Sequence, residues 1–235
     1  MRLSAQDFLN GQVLLLDKPL TWSSFQAVNK LKYLLKRRFP ELKKIKIGHA
    51  GTLDPLATGL LIICTGKFTK RIVEFQNLPK TYTGEITLGA TTPSYDLETA
   101  IDQNYPISHL TEELIKEKTK LLTGEILQKP PIFSAIKKDG VRLYEHARNQ
   151  EEVVIEARPV TIHHFDVLKI DLPKFDFEIC CSKGTYIRSM AHDFGQILNS
   201  GGHLSALRRT KIGEFDVNKA YTIESFETLL DEKQD

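Results

Sequence analysis

Cysteine, methionine and tryptophan are scarce in this chain, at three, two and one among 235 residues. Three cysteines, with Cys180 and Cys181 adjacent, give neither a disulfide framework nor the paired spacing of a zinc site. Buried thiols in a reducing compartment are the expectation. No apolar run approaches the roughly 20 residues of a membrane-spanning helix. The N-terminus offers only Val13 to Leu16, between Asp7 and Asp17, which argues against a secretory leader. The seven histidines show no metal-ligand spacing, and His163-His164 reads as two opposite-facing positions of a strand. Glycines 48, 51 and 59 miss the dinucleotide-binding spacing. A Walker loop ending at Gly66-Lys67 needs Ser or Thr where Phe68 stands and glycine where Leu61 stands. A nucleotide cradle is therefore excluded.

What is present is ordinary in bulk. Hydrophobic content of 41% and charged content of 26% describe a globular protein able to bury a real core. The net charge of +2 decides nothing, but its distribution is uneven. Lys30, Lys32, Lys36, Arg37, Arg38, Lys43, Lys44 and Lys46 are opposed locally by Glu41 alone. Such a run is most often a solvated helix face; its functional reading is contact with phosphates. The acids gather elsewhere, at Glu112, Glu113, Glu117, Glu151, Glu152 and in the tail, leaving the run unneutralised in sequence.

Periodicity lays out the elements. Gln12 to Asp17 reads as a strand, and Ser23 with Gln26 as a capping box opening a helix to Arg38. Phe25, Val28, Leu31 and Leu35 share that helix's apolar face. Thr69 to Phe75 is a short helix, and Lys80 to Ala90 alternates as a half-buried strand with Tyr82, Ile86 and Leu88 inward. Thr91 to Ser108 is a polar loop, followed by a helix from Thr111. Pro130-Pro131 and Asp139-Gly140 mark turns. Val160 to Ile170 and Phe175 to Cys181 pair as strands; an amphipathic helix follows Gly184 and ends at Gly201-Gly202.

The stretch Lys46 to Lys70, KIGHAGTLDPLATGLLIICTGKFTK, organises the rest. Leu60 to Cys64 has the length and branching of a strand covered on both faces, which would hold Asp54 and His49 on a rigid platform. Asp-Pro in a glycine-rich loop is most often a plain turn. However, GHAGTLDPLATGLL resembles the signature loop of the TruB family of tRNA pseudouridine synthases. Further segments resemble that family in the expected order: DKP with Trp22-Ser23-Ser24, QKPPIFSAIKKDGVRLY, SKGTYIRSMAHDFGQIL and HLSALRRTKIGEF.

That resemblance implies an α+β fold with a mixed, mainly antiparallel central sheet flanked by helices, the pseudouridine synthase fold. It implies one catalytic domain over residues 1–235, with an RNA-gripping insertion and, because only about twenty residues follow Phe215, no C-terminal PUA domain. The implied activity is isomerisation of uridine 55 in the TΨC arm of tRNA, on a flipped-out base, in the cytoplasm. Asp54 is the implied nucleophile, Arg188 its cationic partner, and Tyr82 the ring that stacks on uracil. Tyr186 and Leu207 would line the uridine pocket, and His49 would hold the RNA with its base extruded. Lys18 and Pro19 would buttress the loop. Read alone, Tyr82, Tyr186 and Leu207 are equally core residues, and Arg188 an exposed helix arginine. The partner is tRNA; no cofactor, metal, membrane or obligate protein partner is implied. Two other readings fit the same residues: an RNA chaperone of the tRNA elbow, and a synthase acting on ribosomal RNA within a guide complex.

Overall fold

The computed structural model describes residues 3–138, 140–149, 151 and 153–231. Asp139 of the expected Asp-Gly turn, Glu152 and the acidic tail past Asp231 lie outside them. The strands are β1 (Val13–Lys18), β2 (Ile47–His49), β3 (Ala57–Thr65), β4 (Lys80–Leu88), β5 (Ala90–Thr91), β6 (Gln103–Asn104), β7 (Gly124–Gln128), β8 (Lys137–Lys138), β9 (Val141–Arg142), β10 (Arg158–Asp171), β11 (Lys174–Cys181), β12 (Gly202–Ile212) and β13 (Phe215–Asp216). The helices are α1 (Ala5–Asn10), α2 (Ser24–Arg38), α3 (Ile72–Asn77), α4 (Glu112–Lys118), α5 (Leu143–Arg148), α6 (Ile187–Ile197) and α7 (Ile223–Asp231). The expected mainly antiparallel sheet with helices is observed. Two compact units divide the chain: residues 1–82 with 208–235, and residues 83–207.

In the first unit the strand order is β1-β3-β12-β4, with β2 also paired to β3 and β13 to β12. Leu60, Leu61, Ile62, Ile63 and Cys64 are all fully buried, as the apolar run predicts. Alternation divides them between two cores. Leu61 and Ile63 join Leu14, Leu16, Val28, Leu31, Leu35, Phe226 and Leu230; Leu60, Ile62 and Cys64 join Ala50, Phe75, Ile212 and Val217. A strand packed on both faces has no freedom to slip by one residue, since that would exchange the two cores. Gly59, with φ of +103°, begins this run against β12: a Cβ there would lie 2.3 Å from the Arg209 carbonyl oxygen. The close approach of two backbones, not turn formation, is why glycine stands there.

Helix α2 opens with both halves of the expected capping box. Phe25 departs from the expected face: it is 70% exposed, while Ala27 and Leu34 fill the buried stripe beside Val28, Leu31 and Leu35. The connector Glu41 to Lys46 is fixed by the same core, with Leu42 and Ile45 buried. Two members of the basic run, Lys30 and Arg37, meet acids from the far end of the chain. Helix α7 places Glu227 2.7 Å from Arg37 and 4.0 Å from Lys30, and Asp231 2.8 Å from Arg37.

In the second unit the order is β12-β4-β11-β10-β7. Tyr82, Ile86 and Leu88 lie on the buried side of β4, as alternation predicts. Helix α6 ends earlier than expected, at Ile197, with Asn199 in the left-handed region. Gly201 and Gly202 serve instead to let β12 pass α6: a Cβ on Gly195 would lie 2.2 Å from the Gly202 nitrogen. The expected polar loop after β4 carries the short β5–β6 ladder.

Candidate active site

Asp54 sits half-buried in the loop between β2 and β3. Both ends of that loop are tied down. The pairing of Ile47, Gly48 and His49 to Thr65, Cys64 and Ile63 continues with a bond from the Ala50 N–H to the Ile62 carbonyl, 2.9 Å. The residue before the acid is clamped: Leu53 N–H donates to Ser24 Oγ at 2.8 Å, and that hydroxyl donates to the Leu53 carbonyl at 3.1 Å. Ser24 is buried at the first turn of α2, so the helix start and the loop fix one another. The Ala57 N–H closes a turn on the Asp54 carbonyl at 3.1 Å, and the Thr21 N–H reaches the Pro55 carbonyl at 2.9 Å.

Two buried cations frame this loop. Arg209, 1% exposed, donates to the Leu60 carbonyl at 2.7 Å and the Gly51 carbonyl at 3.0 Å. Lys18, fully buried, donates to the carbonyls of Pro19 at 2.9 Å and Trp22 at 2.6 Å. Its role is therefore to hold the preceding turn, consistent with a buttress. Burial pushes its ammonium down to about 8, with Asp54 opposing and Arg209 reinforcing the shift. His49 is likewise held below the usual imidazole range, first by burial and then by Arg209, so it is neutral at pH 7.

A pH effect on stability follows from Lys18. Below pH 8 its amine is protonated in both folded and unfolded chains, and the burial cost is borne in full. Between pH 8 and 10.5 the unfolded chain binds a proton that the folded chain has released, so stability rises with pH across that window. The urea midpoint of the wild type is expected to gain on that of Lys18→Met from pH 8 to pH 10; parallel curves would refute the burial argument.

In the second unit, Arg188 occupies the first turn of α6 and is 4% exposed. Its guanidinium donates to the Ser94 carbonyl at 3.1 Å and the Phe133 carbonyl at 2.9 Å. Its Nε lies 3.6 Å from Oδ2 of Asp96, itself buried. The buried ion pair and the two carbonyl bonds together hold the fork in one orientation. Arg188 is not an exposed helix arginine. Tyr186 is half-buried and caps α6; its N–H and carbonyl are both taken by the amide of buried Gln128, at 2.8 and 3.1 Å. Ser189 Oγ adds a bond to the Lys129 carbonyl at 2.8 Å. Leu207 is half-buried on β12; Tyr82, the last residue of the first unit's leading segment, is 8% exposed on β4.

Ser24, Asp96, Gln128 and Arg209, given no role by the sequence alone, hold the Asp54 loop, Arg188 and Tyr186 in place. Asp96 had a legible signal. The run Thr91-Thr92-Pro93-Ser94-Tyr95-Asp96 is rich in groups that bond their own backbone, and Asp96 Oδ1 does accept from the Glu98 N–H at 3.0 Å.

Two family models match the chain: TruB family pseudouridylate synthase (N terminal domain) over residues 36–187, and tRNA pseudouridylate synthase B C-terminal domain over residues 188–235. A protein of Flavobacterium johnsoniae named tRNA pseudouridine synthase B is 64% identical over 97% of this chain and 100% of its own. A protein of the same name from Phocaeicola vulgatus is 50% identical over 97% of both chains. Among solved structures, a chain of a Cbf5-Nop10-Gar1 complex superposes with a TM-score of 0.70 at 27% identity, over 94% of this chain. The present chain spans about half of that one, 54%.

Proposed function

Because the chain belongs to the TruB family of pseudouridylate synthases, we propose that it converts uridine 55 in the TΨC arm of tRNA to pseudouridine, with Asp54 as the nucleophile. The single observation that carries the catalytic assignment is the Asp54 loop, clamped at Leu53 by Ser24 and framed by buried Lys18 and Arg209. A carboxylate held by such a frame needs little reorganisation when a substrate arrives.

The reaction breaks the C1′–N1 glycosidic bond, turns the uracil and joins C5 to C1′; the C5 proton leaves to solvent and N1, freed from the sugar, takes one up. Atoms and electrons balance within the nucleoside, so the isomerisation calls for no oxidant or reductant. The glycosidic step calls for an ionised carboxylate as nucleophile or charge stabiliser. Tyr82 supplies the stacking face for the uracil, Arg188 the cation that favours the ionised acid, and Tyr186 and Leu207 the pocket walls. His49, uncharged at pH 7, stacks on or bonds to nucleotides displaced by base flipping. Extruding the base costs on the order of a few kcal/mol. Phosphate contacts offset that cost, and the exposed Lys43, Lys44 and Lys46 lead directly into the Asp54 loop.

Relatives weigh the substrate. The proteins named for tRNA are 64% and 50% identical to this chain, which supports tRNA as the substrate. No helix among the described residues is long and apolar enough to cross a membrane. The test is tritium release from an unmodified tRNA transcript carrying C5-tritiated uridine. One equivalent released, and none from a transcript with cytidine at position 55, is the expected result; binding without release would leave the chaperone reading.

A further inference from the structure

The outward face of the β10–β11 ladder carries a group of side chains that the uridine chemistry does not use. His164, Asp166 and Glu178 each offer one ligand atom, and these atoms lie within 4.8 Å of one another. Register builds the group. Asp166 pairs directly with Glu178, and His164 with Cys180. Alternation along β11 turns Phe175, Phe177, Ile179 and Cys181 inward and leaves Glu178 and Cys180 half-buried on the other side. On β10 a bulge between Ile162 and His164 reverses the parity of the strand. Val160 and Ile162 are buried before it and Phe165 after it, so His164 and Asp166 turn outward together instead of into the core. The sequence spacing of the histidines could not show this, because one ligand lies on the neighbouring strand and the bulge sets the face.

We infer that His164, Asp166 and Glu178 form a binding site for one divalent transition-metal ion of the zinc class, which cross-links β10 to β11. Four observations support it. Imidazole nitrogen with two carboxylate oxygens is a ligand set suited to zinc, and three protein ligands leave a position for water. The His164 Nε2–Glu178 Oε1 separation is 3.3 Å, and two ligands of a tetrahedral zinc at bond lengths near 2.0 Å lie about 3.3 Å apart. Nε2 of His164 is shielded from solvent without a hydrogen-bond partner, although a carboxylate oxygen is beside it. Such an atom is unsatisfied until a cation or proton lies between the two groups. Finally, His164 and Asp166 also line a cavity of about 610 Å³ with Lys116, Thr119 and Lys120, which gives an ion a way in.

The ligand set carries two negative charges, so a divalent ion neutralises it, and the nearby lysines are not needed as counter-ions. Cys180, across from His164, tests the alternative that a thiolate dominates. The experiment titrates the purified, chelator-treated full chain with Zn²⁺ against a chromophoric chelator, and with Co²⁺ by visible absorption, alongside His164→Gln, Glu178→Gln and Cys180→Ser. One equivalent of Zn²⁺ bound by wild type is expected, with affinity reduced at least tenfold in His164→Gln and in Glu178→Gln and retained in Cys180→Ser. At a hundredfold excess over Kd the wild-type Tm should rise by about 5–10 °C, and the Tm of His164→Gln should not. Absence of saturable binding, binding unchanged in His164→Gln, or binding lost only in Cys180→Ser would each overturn the site.

Discussion

Asp54→Asn is expected to abolish tritium release, by about 10⁴-fold or more, while leaving tRNA binding intact. Asn has the shape of Asp but neither its charge nor its nucleophilicity, and loss of a nucleophile is among the largest single effects in enzyme kinetics. The fold should tolerate the change. Asp54 is half-buried, and the bonds that shape its loop run through neighbouring backbone and through Ser24 and Arg209. RNA affinity should hold or improve slightly, because one negative charge near a polyanion is removed. Counterion release depends on the basic side chains, so the salt slope of binding should be unchanged. The measurement is single-turnover tritium release with saturating enzyme, paired with filter binding across a salt series. Retained turnover would dismiss Asp54 as nucleophile; lost turnover together with lost binding would make it a residue of the RNA contact instead.

Why Asp54 was legible and its supports were not is a matter of range. The apolar run of β3, the capping box of α2 and the alternation of β4 are local patterns, read within a few residues, and each appears where the spacing placed it. Ser24 and Leu53 meet across 29 residues, and Arg209 and Gly51 across 158. No local period encodes such contacts. The exposure of Phe25 has the same origin: the helical period places it at the edge of the stripe, and its neighbours Ser24 and Ala27 take the buried positions of the first turn instead. The partners of the basic run lie beyond local reach for the same reason. Arg37 looks unopposed until α7 returns to it with Glu227 and Asp231, some 190 residues later.

Arg188 is the sharpest case, and it separates catalysis from stability. Arg188→Met should lower turnover by about 10³-fold, on the scale of losing a preorganised charged partner in a site. It should also destabilise the chain. Asp96 would be left buried without its cation, and the carbonyls of Ser94 and Phe133 without their donor; breaking a buried pair in this way costs about 3–5 kcal/mol. Arg188→Lys should not rescue turnover. A single ammonium cannot replace a planar fork whose two terminal nitrogens bond two different carbonyls while its Nε faces a carboxylate. The decisive variant removes both charges. In Arg188→Met with Asp96→Asn no unpaired charge is buried, so much of the lost stability should return, as when buried ion pairs are replaced whole. Turnover should stay low, as the catalytic role proposed for Arg188 requires. Urea midpoints and single-turnover rates measured on the two single variants and the double variant give both quantities. If turnover recovered in step with stability, Arg188 would be a support of the fold and its catalytic role would fall.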